Sequence, residues 1–221
     1  MPVKTNQRKS AKTPNCELIA IGASAGGLRA LMGLLDGIEP NFPAILVVQH
    51  LDPTHKSHMA ALLARKTRKR VKEAEDGELI QPGTVYIGPP NEHLLVSQDR
   101  IQLAHSRLVR FSRPSIDLMF GSVAAIFGPT AIGVILSGSN RDGADGIAAI
   151  KRAGGITIAQ DPATAEFRTM PQSAIDTGCV DYVLPLANMG QTISQLLMRA
   201  APSNGKGRHV KRPSARTRGT P

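Results

Sequence analysis

ELIAIGASAGGLRALMGLL, residues 17–35, changes its periodicity halfway along. Its first six residues form a short aliphatic run, the pattern of a strand buried on both faces. From residue 26 onward Leu28, Leu31, Leu34 and Leu35 recur at helical spacing. Strand and helix meet at Gly22-Ala23-Ser24-Ala25-Gly26, which fits G-x-S-x-G. A tight strand-to-helix turn of that kind lifts a serine hydroxyl above the end of a sheet, and small neighbours let the backbone pack closely.

The same two patterns alternate through the chain. AILVVQ (44–49) predicts a second strand, followed by a helix from about 55 to 67, and VKEA (71–74) a short strand. TVYIG (84–88), HLLVS (93–97) and RIQLA (100–104) are separated by turn-rich breaks and predict a small antiparallel insert. A helix is expected from Pro114 to about Ile126, with proline suiting its first turn. AIGVILSG (131–138) reads as a central strand, 143–153 as a helix, and ITIAQ (156–160) and DYVLP (181–185) as later strands. Short helices are expected near 171–177 and 188–199. This alternation predicts an α/β fold: a doubly wound, mostly parallel sheet flanked by helices in three layers, with a small antiparallel β insert. Ligands of such sheets gather outside the carboxyl ends of the strands.

Composition narrows the function classes. A chain of 221 residues suits one well-filled domain, and with 3% aromatics and no Trp its core must be aliphatic. No apolar run approaches the length of a membrane span, and the polar N-terminus lacks the apolar segment of a secretory signal. With only Cys16 and Cys179, a reduced, cytoplasmic protein is expected. The net charge of +10 comes from the ends: ten Lys and Arg lie in 1–16 and 202–221, with no acidic residue there. Basic disordered tails are therefore expected at 1–16 and 201–221, around a neutral domain at 17–200. Such tails can attract nucleic acid or anionic lipid, but the neutral body and scarce aromatics argue against a nucleic-acid partner.

Three strand ends carry chemistry. Ser24 is a candidate nucleophile, with an N-cap, a phosphate cradle or a dinucleotide loop as the competing readings; G-x-G-x-x-G itself is not matched. The second strand ends in Gln49-His50, with Asp52 two residues beyond. Beside a nucleophile, His50 is a candidate general base, although a lone histidine there would suit a structural role. The third strand runs into SGSNRDGADG, where Asp142 could orient an imidazole or cap the next helix, and Asp145 competes for both roles. His50, His55 and His58 raise a metal site, but no Cys or carboxylate cluster accompanies them. EAEDGE (73–78) reads as a solvated turn, His93 and His105 as structural or exposed, and Phe167 and Met170-Pro171 as a cleft wall or core. Arg141 could pair with Asp142 or meet an anionic substrate.

Several blocks in order carry a resemblance: IGASAGG, VVQHLDPTHKS, VKEAEDGELIQPGTVYIGPP, RPSIDLMFGSVA, GVILSGSNRDGADG and GGITIAQDPATAEFRTMPQSAI. Over roughly residues 17–198 the chain resembles the catalytic domain of the chemotaxis protein-glutamate methylesterases, the CheB family. The resemblance implies a Ser24–His50–Asp142 triad, with the backbone amides of Ala25 and Ser139 as oxyanion donors. It implies hydrolysis of γ-glutamyl methyl esters, and glutamine deamidation by the same chemistry, with no cofactor and no metal. The substrate would be a methylated helical receptor segment or another signalling protein, and a methyltransferase or kinase could act alongside. Two departures stand out. Gly138-Ser139-Asn140 replaces the Gly-Met-Gly of many members, and only 16 residues precede the first strand, so no receiver domain is expected. A catalytically idle module that binds a partner through this cleft is the competing function, against which the complete set of three residues argues.

Overall fold

Alternate residues of the first strand, β1 (Leu18–Ala23), enter two different cores. Ile19 and Ile21 face one side and Leu18 and Ala20 the other, all fully buried, because successive side chains of a strand point to opposite faces. A strand buried on both faces needs a helical layer on each side, and that is the architecture of the computed structural model, which describes residues 16–50 and 57–200. Seven parallel strands run in the order β3 (Arg70–Glu73), β4 (Thr84–Ile87), β2 (Ala44–Gln49), β1, β7 (Ala131–Ile135), β8 (Ile156–Gln160) and β9 (Tyr182–Leu184). On one face, α1 (Gly27–Asp36), α2 (Met59–Thr67) and α6 (Leu186–Ala200) bring Leu31, Leu34, Leu63, Met189 and Ile193 onto Ile45, Val47 and Val134. On the other, α3 (Ile116–Phe127), α4 (Ala144–Arg152) and α5 (Thr169–Ile175) bring Phe120, Val123, Ile147, Ile150 and Met170 onto Leu46, Val48 and Ile135. The expected α/β, doubly wound, three-layer fold is the one observed.

One strand assignment is corrected. Residues 84–88 were expected in the antiparallel insert, but Thr84–Ile87 lies in the main sheet, parallel to β2 with Val85 beside Ile45 and Ile87 beside Val47. Val85, Tyr86 and Ile87 are buried there, and an exposed hairpin could not give them that cover. The antiparallel insert is the hairpin of β5 (His93–Ser97) and β6 (Arg100–Ala104) alone. Two boundaries also move. Pro114 precedes the N-cap of α3, Ser115, instead of opening the first turn, and the third strand's regular pairing ends at Ile135. The start of the expected 55–67 helix, with Asp52 and His55, lies outside the described residues, as do the tails at 1–15 and 201–221.

No helix among the described residues is long and apolar enough to cross a membrane. Cys16 and Cys179 are free thiols, and burial pushes that of Cys16 up to about 12.

Candidate active site

The turn after β1 is shaped by two glycines. A Cβ at Gly22 would lie 2.4 Å from Cγ2 of Ile116, so only glycine lets the strand end approach the start of α3. Gly26 is the N-cap of α1 with φ of 73°, in the left-handed region that glycine enters without strain. Ser24 therefore does not cap the helix; it stands two residues before the cap, with its amide donating to Ser137 O at 3.0 Å. Ser137 ties that junction again, its hydroxyl donating to Ala25 O (2.8 Å) and accepting from Phe167 N (2.9 Å).

Ser24, His50 and Asp142 meet across the adjacent ends of β1, β2 and β7. Ser24 Oγ lies 3.2 Å from His50 Nδ1, and His50 Nε2 lies 2.8 Å from Asp142 Oδ2. The imidazole is 14% exposed and the carboxylate fully buried, so the pair runs from the cleft into the protein. Asp142 accepts four hydrogen bonds, the full capacity of a carboxylate. Oδ2 takes His50 Nε2 and Ile116 N (2.7 Å), and Oδ1 takes Ser115 Oγ and Asp117 N, each at 3.0 Å. Burial alone would raise this acid. The hydrogen bonds from His50 and from the amides of Asp117 and Ile116 outweigh it and hold the carboxyl below its ordinary value of 3.8. An ionised Asp142 only accepts, so Nε2 carries the proton and Nδ1 faces Ser24 with its lone pair. The ring is thus turned the other way from the chymotrypsin arrangement, where Nε2 faces the serine.

Asp142 does not cap the helix that follows it, as one reading of the sequence allowed. It sits on the N-terminus of α3, where free amides and the helix dipole favour an anion. Its neighbours fall elsewhere: Asp145 is exposed and pairs with Arg110, and Arg141 points to solvent and supplies none of Asp142's hydrogen bonds. The N-terminus of α4 is served by Asp117, whose Oδ1 accepts from Gly143 N (2.9 Å) and Gly146 N (2.8 Å). Burial lifts the Asp117 carboxyl above its ordinary value against the pull of the Gly146 amide, and Asp142 and Asp145 add to the lift.

Four further residues shape the site and were not singled out by sequence. Gln49 Nε2 donates to the carbonyls of Ser24 (2.6 Å) and His50 (3.1 Å), tying the two turns together from a buried position. Asn140 places Nδ2 3.2 Å from His50 Nδ1 and accepts from Asp142 N at 3.1 Å. Ser115 and Asp117 complete the cradle of Asp142. Ser-Ile-Asp ahead of an apolar run is a helix-start signal, and it could have pointed to both. The amides of Ala25 and Ser139 donate no hydrogen bond among the described residues.

The other candidates among the described residues lie apart from the three strand ends or in packing roles. His93 is buried, accepts from Ser115 N at Nδ1 and donates from Nε2 to Arg107 O, while His105 contacts Asn91 O at the surface. No group of three metal-ligating residues occurs among the described residues. Met170 and Pro171 are buried, whereas Phe167 is partly exposed beside the end of β7. Lys72 pairs with Glu75 and Glu78 in the acidic turn.

Known proteins share this sequence pattern and fold. Residues 19–193 match the family model described as CheB methylesterase. A relative from Leptospira interrogans (strain Fiocruz L1-130) is 41% identical over 192 residues, covering 86% of this chain and 97% of that one. The Caulobacter vibrioides "protein-glutamate methylesterase/protein-glutamine glutaminase 1" is 38% identical over 199 residues, covering 88% of this chain and 58% of that protein. This chain thus spans little more than half of the Caulobacter relative's length. The crystal structure of the Thermotoga maritima CheB methylesterase catalytic domain superposes with a TM-score of 0.78 at 36% identity, over 82% of this chain and 99% of that one. Family model, relatives and fold coincide, and the chain belongs to the CheB methylesterase family.

Proposed function

We propose that the protein is a serine hydrolase that removes methyl esters from γ-glutamyl side chains of a helical receptor segment or similar signalling protein. The observation that carries this reading is the unbroken chain of hydrogen bonds from Ser24 Oγ through both nitrogens of His50 to Asp142. His50 Nδ1 takes the proton of Ser24 Oγ as that oxygen attacks the ester carbonyl, and the imidazolium is steadied by Asp142 through Nε2. The developing oxyanion is received by the amides of Ala25 and Ser139, which donate to no acceptor among the described residues. Collapse breaks the bond to the methoxy group, which leaves as methanol with the proton held on Nδ1. Water then attacks the acyl-serine and gives a proton to Nδ1, which passes it to Ser24 Oγ as the acyl–oxygen bond breaks and the glutamate is freed. Glutamine deamidation follows the same steps with ammonia as the leaving group, and the two activities in the Caulobacter relative's name support that extension.

The test is methanol release from a methylated receptor fragment by the purified protein and by its Ser24→Ala variant. Release by the wild type and none above background by the variant is the expected result. Equal release by both would remove Ser24 from the chemistry.

A further inference from the structure

The largest exposed apolar side chain near the cleft is Phe111, 97% exposed, with Leu108 at 56% close by in the same loop. The segment bearing them is built, not slack. Val109 and Ser112 exchange two backbone hydrogen bonds, at 3.1 and 2.8 Å, and close a two-residue turn. Both turn residues are left-handed, Arg110 at φ 47° and Phe111 at φ 64°. Such turns favour Asn and Gly, and a bulky ring at that position is strained.

Side-chain bonds hold the strained turn in place. Arg110 reaches Asp117 at 3.2 Å and pairs with Asp145. The Arg113 guanidinium donates twice to Asn91 Oδ1, at 3.0 and 2.6 Å, and His93 Nε2 donates to Arg107 O at 3.0 Å. The turn is thereby anchored to the first turn of α3, which cradles Asp142, and to that of α4. Its ring adds nothing to the core, yet the fold maintains it in a disfavoured backbone conformation at full exposure. Persistent strain of this kind is found where function needs it.

Phe111 and Leu108 line a cavity of about 440 Å³ together with Ser24, His50, Asn140 and the polar Asn91 and Arg113. That is more room than one glutamyl ester side chain fills. On a helical substrate, residues three or four positions from the ester stand on the same face and enter the cleft with it. We propose that Phe111, with Leu108, is the docking contact for an apolar residue one helical turn from the esterified glutamate, so that it selects protein substrates over small esters. This assignment rests on the esterase reading above.

The experiment compares wild type and Phe111→Gly on a methylated receptor fragment and on p-nitrophenyl acetate, with thermal unfolding and sedimentation on both proteins. Glycine relieves the left-handed backbone, so the variant's Tm is expected to equal or exceed that of wild type. The ratio of kcat/KM for the fragment to kcat/KM for the small ester is expected to fall about 10- to 100-fold, mainly through KM, as fits loss of one buried aromatic contact. A ratio within twofold of wild type, with wild type active on the fragment, overturns the docking role alone. Wild type that cleaves the small ester and leaves the fragment methylated overturns the assignment of receptor methyl esters as substrate, and the docking role with it. A wild-type dimer that Phe111→Gly converts to monomer, with an unchanged ratio, makes the ring a self-association contact and overturns the proposal.

Discussion

Asp117 and Asp142 cap each other's helices. Asp142, just ahead of α4, accepts from the first amides of α3, while Asp117, in the first turn of α3, accepts from Gly143 and Gly146 at the start of α4. Two helix N-termini are thus satisfied by carboxylates exchanged between them, and Asp142 also holds His50. The position of the imidazole is therefore tied to the packing of α3 against α4.

Asp117→Ala leaves the Gly143 and Gly146 amides without their acceptor. A loss of about 1–3 kcal/mol is expected in urea denaturation. Turnover should fall about tenfold as Asp142 loosens, and Asp117→Asn, whose amide oxygen can still accept, should restore most of it. Full activity in a destabilised Asp117→Ala protein would uncouple the α4 cap from the site.

Ser24→Ala and His50→Ala should each lower ester turnover by several orders of magnitude with far-ultraviolet circular dichroism unchanged. Asp142→Asn should cost about 10³- to 10⁴-fold by destabilising the imidazole tautomer that bares Nδ1 to the serine. Retention of more than a tenth of wild-type activity by any of the three would remove that residue from its role.

The acid behaviour of Asp142 gives a stability signature. Its carboxyl is held below 3.8 in the folded protein, so the stability it contributes is present above that value and is lost as pH falls through the lower, folded one. The difference in unfolding free energy between wild type and Asp142→Asn should shrink as pH falls below 3.8. A difference that grows on acidification would contradict the assigned hydrogen bonds.

Asn140 Nδ2 and Ser24 Oγ both approach the single lone pair of His50 Nδ1, each at 3.2 Å. Removing the competitor should free that lone pair for the serine. Asn140→Ala is expected to accelerate labelling of Ser24 by a fluorophosphonate about 2- to 10-fold, the scale of one net hydrogen bond. Slower labelling would mean that the Asn140 contact to the Asp142 amide matters more.

A methyl group at residue 22 would strike Ile116, whose amide holds Asp142 at 2.7 Å. Gly22→Ala should therefore destabilise the protein by about 1–3 kcal/mol and lower turnover together, because the relieving movement shifts α3. Thermal unfolding and ester kinetics on the same samples check both.

The buried parallel strands were legible because each is a continuous aliphatic run, and Ser24, His50 and Asp142 because they stand where such runs end. Thr84–Ile87 was misplaced for the opposite reason. Its own residues say strand, but the buried partner that seats it in the main sheet, Ile45 to Val47, lies far earlier in the chain, and pairing is decided by the shared core. Reciprocal capping was hidden too. Asp142 beside Gly143 looked like a cap for α4, and only the approach of α3 redirects it. Gln49 was invisible as a site residue because a buried glutamine at a strand end advertises no chemistry until the carbonyls it bridges are known.

The sheet order has a consequence for how the molecule comes into being. Ser24 and His50 are 26 residues apart and share a single β1–α1–β2 unit, whereas His50 and Asp142 are separated by 92 residues. Closing the longer loop carries the larger entropic penalty, and non-local parallel pairing is slow. During refolding the nucleophile and base should come together with the early unit, and the carboxylate only when β7 docks beside β1. Reactivity toward a phosphonate should then lag the recovery of helix signal. Such an order of assembly would keep a half-folded chain, with its serine already in the turn, from acting as an indiscriminate esterase.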